Sequence, residues 1–173
     1  MPAIGLFLKA EMEGVARIVF PPETDWTLDV QESSGVDKRE RVTLNANEEL
    51  DIPNSKGKAN FLVKFEGAKQ VSTMSVVTLT RKTEFKDLKG VTELGSFTPD
   101  QSEKVPIAVF DCRGMEPTRW YPVGPFIVES EGGKAFTEVD LSDALGDGWC
   151  EYDENADQSV SITDLKFEFK TVR

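Results

Sequence analysis

Apolar residues in this chain recur at every second position far more often than at helical spacing, and that period decides the class of fold. Ile4, Leu6, Leu8, Ala10 and Met12 follow one phase over nine residues. A strand turns successive side chains to opposite faces, so such a run predicts a strand with one buried face. Trp26, Leu28 and Val30 form a second run, and Arg41-Val42-Thr43-Leu44 a short third. Ala59, Phe61, Val63 and Phe65 give a fourth, followed by Met74, Val76, Val77 and Leu79. Residues 105 to 112 are apolar on both faces until Asp111, which predicts a central or sandwich-core strand. Phe126-Ile127-Val128 and Ala135-Phe136-Thr137-Glu138-Val139 flank a Glu131-Gly132-Gly133-Lys134 turn and predict a hairpin. Leu165, Phe167, Phe169 and Thr171 alternate with Lys166, Glu168 and Lys170, a final strand with one charged face. The helical signal is limited to one turn within residues 140–145. The fold class expected is all-β, two packed antiparallel sheets (β-sandwich-like) with a smaller β lobe.

The 173 residues fit a single domain spanning 1–173. A chain of this length buries about 70% of its unfolded surface, so it folds without needing a metal or disulfide. The strand pattern stops after Thr80. Residues 81–104 carry Lys82, Glu84, Lys86, Asp87, Lys89 and Glu93, punctuated by Gly90, Gly95 and Pro99. This divides the chain into a lobe over 26–80, a polar connection over 81–104 and a C-terminal β part over 105–173. The first residues, Met1-Pro2-Ala3-Ile4, lack a basic run, and Lys9 and Glu11 interrupt the apolar stretch, unlike a signal peptide. No 18-residue apolar stretch occurs. A cytoplasmic location is expected, with the nucleus as the variant of it.

Composition removes several kinds of chemistry. There is no histidine, which excludes Ser-His-Asp and Cys-His nucleophile pairs, HExxH zinc sites and imidazole acid–base work. Twenty Lys and Arg against 31 Asp and Glu give a formal charge of −11. That field repels phosphate backbones and anionic membranes, so neither nucleic acid nor membrane is an expected partner. The two cysteines, Cys112 and Cys150, read as reduced thiols.

Three candidate sites remain. An acidic stretch from Asp143 to Asp157 places Asp143, Asp147, Glu151 and Glu154 at four ligand places of a calcium loop, but Leu145 fills the third place. It reads as a solvated loop. Cys112 lies beside Arg113, which lowers a thiol pKa when it faces the sulfur, but alternation puts Cys112 on the buried Phe110 side. Arg113, Glu116, Arg119, Trp120 and Tyr121 supply the residue types of an interaction patch. The competing reading is local pairing of Arg113 with Glu116 and aromatics covering a sheet edge.

Four blocks in order resemble one family. Ser55-Lys56-Gly57-Lys58-Ala59-Asn60-Phe61-Leu62-Val63-Lys64 is similar to a segment that leads into a CxxC pair. Asp111-Cys112-Arg113-Gly114-Met115-Glu116-Pro117 resembles a C-R-G-[LM]-E-P block. Gly133-Lys134-Ala135-Phe136-Thr137-Glu138-Val139-Asp140-Leu141 resembles G-x-x-F-x-[DE]-[IV]-[DN]-L. Trp149-Cys150-Glu151-Tyr152-Asp153-Glu154 resembles W-x-[DE]-Y-D-E. With Leu6, Leu8, Lys9 and Ala10, the likeness to the eukaryotic CXXC motif containing zinc binding protein family covers nearly the whole chain.

The resemblance implies a mostly β protein in which two CxxC pairs hold one zinc through four thiolates. In this sequence the first pair falls on Glu32-Ser33-Ser34-Gly35 and the second on Phe65-Glu66-Gly67-Ala68. The degenerate ligand positions are thus Glu32, Gly35, Phe65 and Ala68, and zinc is expected to be absent. One reading makes this tip plain β structure with Phe65 buried in the metal's place. The other exposes Phe65, Glu32 and Glu66 as a binding surface. The phase of Ala59, Phe61 and Val63 favours a buried Phe65.

The expected function is therefore a non-enzymatic, metal-independent interaction or scaffold protein with a protein partner and no cofactor. Its candidate interaction or structural residues are Asp111, Cys112, Arg113, Glu116, Trp149, Tyr152 and Asp153. The alternative is a small-molecule binder or carboxylate- and cysteine-based enzyme using a cleft near residues 111–116. A pocket on which Asp111, Arg113 and Glu116 converge would favour that alternative.

Overall fold

Strands hold more than half of the described residues. The computed structural model describes residues 3–79, 85–91, 93–99, 101 and 103–173. Its strands are β1 (Ala3–Glu13), β2 (Val15–Val19), β3 (Trp26–Glu32), β4 (Lys38–Leu44), β5 (Leu50–Asp51), β6 (Lys58–Ala59), β7 (Phe61–Val63) and β8 (Ser72–Val76). They continue with β9 (Ser96–Phe97), β10 (Val105–Arg113), β11 (Met115–Tyr121), β12 (Phe126–Ser130), β13 (Ala135–Val139), β14 (Trp149–Asp153) and β15 (Gln158–Val172). Single 3-10 turns occupy Lys86–Leu88 and Ser142–Leu145, the second inside the predicted helical turn. Thr80, Lys82 and Glu84, where the sequence pattern breaks, lie outside the described residues.

The protein is all-β, as expected, but the strands form more than two sheets. A six-stranded sheet runs β14-β15-β1-β10-β8-β7, a four-stranded sheet β13-β12-β2-β9, a three-stranded sheet β11-β3-β4 and a ribbon β5-β6. All of these pairings are antiparallel. Residues 26–79 contribute strands to three of the sheets formed by the described residues: β3 pairs with β11, and β8 pairs with β10.

Two bends connect the sheets. β1 passes through Gly14 (φ 71°) into β2, and β10 passes through Gly114 (φ 80°) into β11. Left-handed backbone is inexpensive only for glycine, so these two residues let one continuous run serve two sheets. β1 pairs β10 on one side and β15 on the other, with Ala3 opposite Val172 and Leu8 opposite Phe167.

The sheets enclose one hydrophobic cluster. Leu6 and Leu8 of β1, Ile18 of β2, Leu28 and Val30 of β3, Phe110 of β10 and Val160 and Ile162 of β15 are all fully buried. At its centre Phe20 stacks on Trp26 at 5.8 Å and meets Phe126 edge-on at 4.9 Å, while Trp120 meets Phe167 edge-on at 5.9 Å. Burying each such side chain contributes about 1.5–3 kcal/mol. On the other face of the six-stranded sheet, Leu88 covers a smaller cluster with Ala3, Val109 and Val172.

Candidate functional site

The positions that resemblance assigns to zinc ligands lie in two turns that share a support. The first turn joins β3 to β4. There the Glu32 N–H donates to the Asp37 carbonyl at 2.9 Å, and the Ser33 N–H donates to the Gly114 carbonyl at 3.0 Å. The Glu32 carboxylate folds against Gly35, in space that a Cβ on Gly35 would need. The second turn follows β7, where the Ala68 N–H donates to the Phe65 carbonyl at 3.0 Å and Gly67 takes φ 79°. Two residues before Phe65, Val63 pairs with Ser72, whose hydroxyl packs on Gly114. Both turns are therefore held at the bend where β10 becomes β11.

The chemistry of this tip differs from a thiolate site. Phe65 is 1% exposed, and the Arg39 guanidinium lies 5.2 Å from its ring centre. The phase of the preceding strand pointed to burial, although β7 ends at Val63 and Phe65 turns inward from the loop beyond it. Ala68 packs partly buried against the main core. Of the four positions only Glu32 carries a donor side chain. No group of three or more His, Cys, Asp or Glu side chains is placed to hold a metal among the described residues. A tetrahedral zinc site requires four ligands, so these residues do not fit that ion.

The 111–117 block straddles the same bend. Asp111 and Arg113 lie on one face of β10, with Arg113 Nε 3.6 Å from Asp111 Oδ1. Cys112 faces the other way, 3% exposed beside Phe110, and its thiol is pushed up to about 12 by burial and then by the charges of Asp111 and Glu116. A thiol held protonated at neutral pH is a poor nucleophile. Glu116 is exposed and pairs across the sheet with Gln31. Trp120 corrects the surface patch suggested by the sequence: it is 1% exposed, inside the aromatic centre. Arg119 and Tyr121 remain on the outer face.

The 149–154 block is elsewhere. β14 stands three strands from β10 in the six-stranded sheet, roughly 14 Å away at the usual strand spacing. Trp149 meets Phe136 edge-on at 5.7 Å, while Cys150 and Tyr152 are exposed. Both cysteines are free thiols. Asp153 is fully buried. Its Oδ2 accepts from the Ser130 hydroxyl at 2.6 Å, and its Oδ1 accepts from the N–H groups of Asn155 and Ala156 at 3.0 and 3.2 Å. These bonds, that from Ser130 foremost, hold its carboxyl below the usual carboxylate range. Asp153 thus ties the β12–β13 hairpin to the β14–β15 turn.

The acidic stretch is not the plain loop that its composition suggests. Residues 149–153 form β14, so Glu151 sits in a strand while Asp143 sits in a 3-10 turn. A cavity of about 470 Å³ lies away from both blocks, lined by Phe20, Trp26, Val76, Leu94 and Ile107 among others, and by none of Asp111, Arg113 or Glu116. Sequence reasoning missed Asp29, Arg39 and Arg41. Their signal was weak, because a charged residue on a strand reads as solvated surface.

A sequence profile described as "CXXC motif containing zinc binding protein, eukaryotic" matches residues 5–170. The UPF0587 protein F46B6.12 of Caenorhabditis elegans is 34% identical over all of this chain and 97% of its own length. The UPF0587 protein C2D10.03c of Schizosaccharomyces pombe is 28% identical over 96% of this chain and 97% of its own. Among solved structures, a hypothetical protein from Plasmodium falciparum superposes with TM-score 0.82 at 30% identity, covering 98% of this chain and 100% of that one. The crystal structure of C1orf123 superposes with TM-score 0.79 at 21% identity over 98% and 99% of the two chains, a likeness of fold.

Proposed function

This chain belongs to the family of eukaryotic CXXC motif containing zinc binding proteins, and from that premise we propose a non-enzymatic interaction protein that keeps the family's fold without its metal. The observation that carries the reading is the donor set at the tip. One carboxylate, a buried phenyl ring under a guanidinium, and two residues without side-chain donors stand where four thiolates would be needed. The Phe65 ring and the Arg39 cation fill the tip from within the chain, and the core supplies the stability a small metal domain would draw from zinc.

Several features support a binding rather than a catalytic role. The sequence lacks histidine, Cys112 is buried with its thiol raised to about 12, and the 111–116 carboxylates do not converge on the cavity. A net charge of −11 disfavours nucleic acid and anionic membranes as partners and leaves a protein partner. On this reading the protein works in the cytoplasm or nucleus, where two unpaired thiols are stable. No helix among the described residues is long and apolar enough to cross a membrane.

Metal analysis of the purified protein, with thermal unfolding in and out of EDTA, tests the reading. The expected result is zinc far below one equivalent and a midpoint unmoved by chelation. Stoichiometric zinc, or a midpoint lowered by EDTA, would overturn it.

A further inference from the structure

The three-stranded sheet turns Leu28, Val30 and Trp120 to the core and presents its other face to solvent. On that outer face two guanidinium groups converge on one ring. Arg41 Cζ lies 4.2 Å and Arg119 Cζ 4.7 Å from the Tyr121 ring centre. The Tyr121 hydroxyl donates to Asp29 Oδ2 at 2.8 Å, and the Arg41 N–H donates to Asp29 Oδ1 at 2.9 Å. Asp29 therefore holds both the ring and the backbone of Arg41, and Arg119 is its direct strand partner. Arg41 sits at a bulge with φ 52°, in left-handed backbone that a non-glycine side chain rarely adopts. The bulge places Arg41 beside the ring.

Neither guanidinium has a carboxylate within ion-pair distance among the described residues. A guanidinium stacked on an aromatic ring keeps its N–H edge free, and that planar fork matches a carboxylate with two parallel hydrogen bonds. Lys38, exposed on the neighbouring edge strand β4, adds positive charge, while Glu40 of β4 and Glu116 of β11, both exposed, add negative charge to the same sheet. We propose that the Arg41–Tyr121–Arg119 face docks an acidic segment of a partner protein, taking Asp or Glu carboxylates on the two guanidinium edges.

Charge complementarity selects this occupant. The surface as a whole repels an acidic peptide, so the two free guanidinium edges, not a net positive field, are where its carboxylates are held. The inference deepens the reading of an interaction protein and rests on it.

The test is an amide chemical-shift titration of the isotopically labelled protein with a hexaglutamate peptide at low salt. The expected result is saturable shifts confined to β3, β4 and β11, with affinity falling about tenfold for each of Arg41→Gln and Arg119→Gln. Arg17→Gln removes the same charge from an arginine already paired with Glu129 and should leave binding unchanged. Urea unfolding of each variant confirms that the sheet is intact. Absence of saturable shifts, shifts spread over the acidic surface, or equal weakening by Arg17→Gln would overturn the assignment. Tighter binding of an oligothymidylate at the same residues would also overturn it, assigning the face to nucleic acid. Metal content is measured on the same samples. Failure of the peptide to bind a zinc-free, folded protein removes this surface alone, while stoichiometric zinc removes the metal-independent reading alone.

Discussion

The ring of Phe65 is 1% exposed, and the Arg39 guanidinium closes it off 5.2 Å from the ring centre. Truncation would leave a void beneath the Arg39 guanidinium. Phe65→Ala should therefore cost about 3–5 kcal/mol, read from the urea midpoint. Arg39→Ala removes only the exposed cover and should cost about 0.5–1 kcal/mol. A small effect of Phe65→Ala would mean that the ring is not part of the core. The two thiols differ for the same reason of placement. Cys150 should react with a maleimide in the native protein, whereas Cys112, buried and raised to about 12, should react only on unfolding. Rapid native labelling of both would contradict the burial of Cys112. The side of the strand that Cys112 occupies was legible from alternation alone. The role of Asp153 was not, because its partners Ser130, Asn155 and Ala156 come together only through the fold.

Strands were legible where the apolar phase is regular and obscure where it is interrupted. β1 and β3 follow from period two, β10 from a run apolar on both faces, and the β12–β13 hairpin from its glycine turn. β11 was hidden by Pro117 and by a register shift between Pro117 and Arg119. β14 was hidden by its acids. β15 reverses phase at Asp164 (φ 50°): Val160 and Ile162 are buried before it, Leu165 after it. Only its second half reads as a strand, because one extra residue moves every later side chain to the other face. The bends at Gly14 and Gly114 lead to a prediction about elements. A Cβ on Gly114 would meet the Ser72 hydroxyl at 2.5 Å, which can rotate away. On Gly14 it would meet the Ser159 carbonyl oxygen at 2.5 Å, which is backbone of β15. Both alanine variants carry the left-handed penalty of about 1–2 kcal/mol, and Gly14→Ala should be the more destabilised in urea unfolding. The reverse order would show that β15 yields at this point.

For the whole molecule, the absence of histidine sets the pH response. No side chain with an ordinary value near neutrality is present, so the thermal midpoint should be flat between about pH 6 and 8. The carboxyls of Asp153, Glu129 and Glu168 are held low, chiefly by hydrogen bonds from Ser130, Arg17 and Lys104 respectively. A folded value below the unfolded one gives stability that is complete above the unfolded value. That stability is lost as pH falls through the folded one, so it should fade below about pH 4. Asp153→Asn should flatten that acid limb, and an unchanged limb would show that Asp153 contributes nothing to it. The family resemblance was legible across the chain because its blocks survive as separate short patterns. The acidic-segment surface was not, since Asp29, Arg41 and Tyr121 come from three strands and only sheet pairing joins them. The central position of β1 also bears on how the protein is made. β1 is synthesised before both of its neighbours, β10 and β15. It has no partner in its sheet until β10 has followed, and the six-stranded sheet closes only after synthesis has reached Val172.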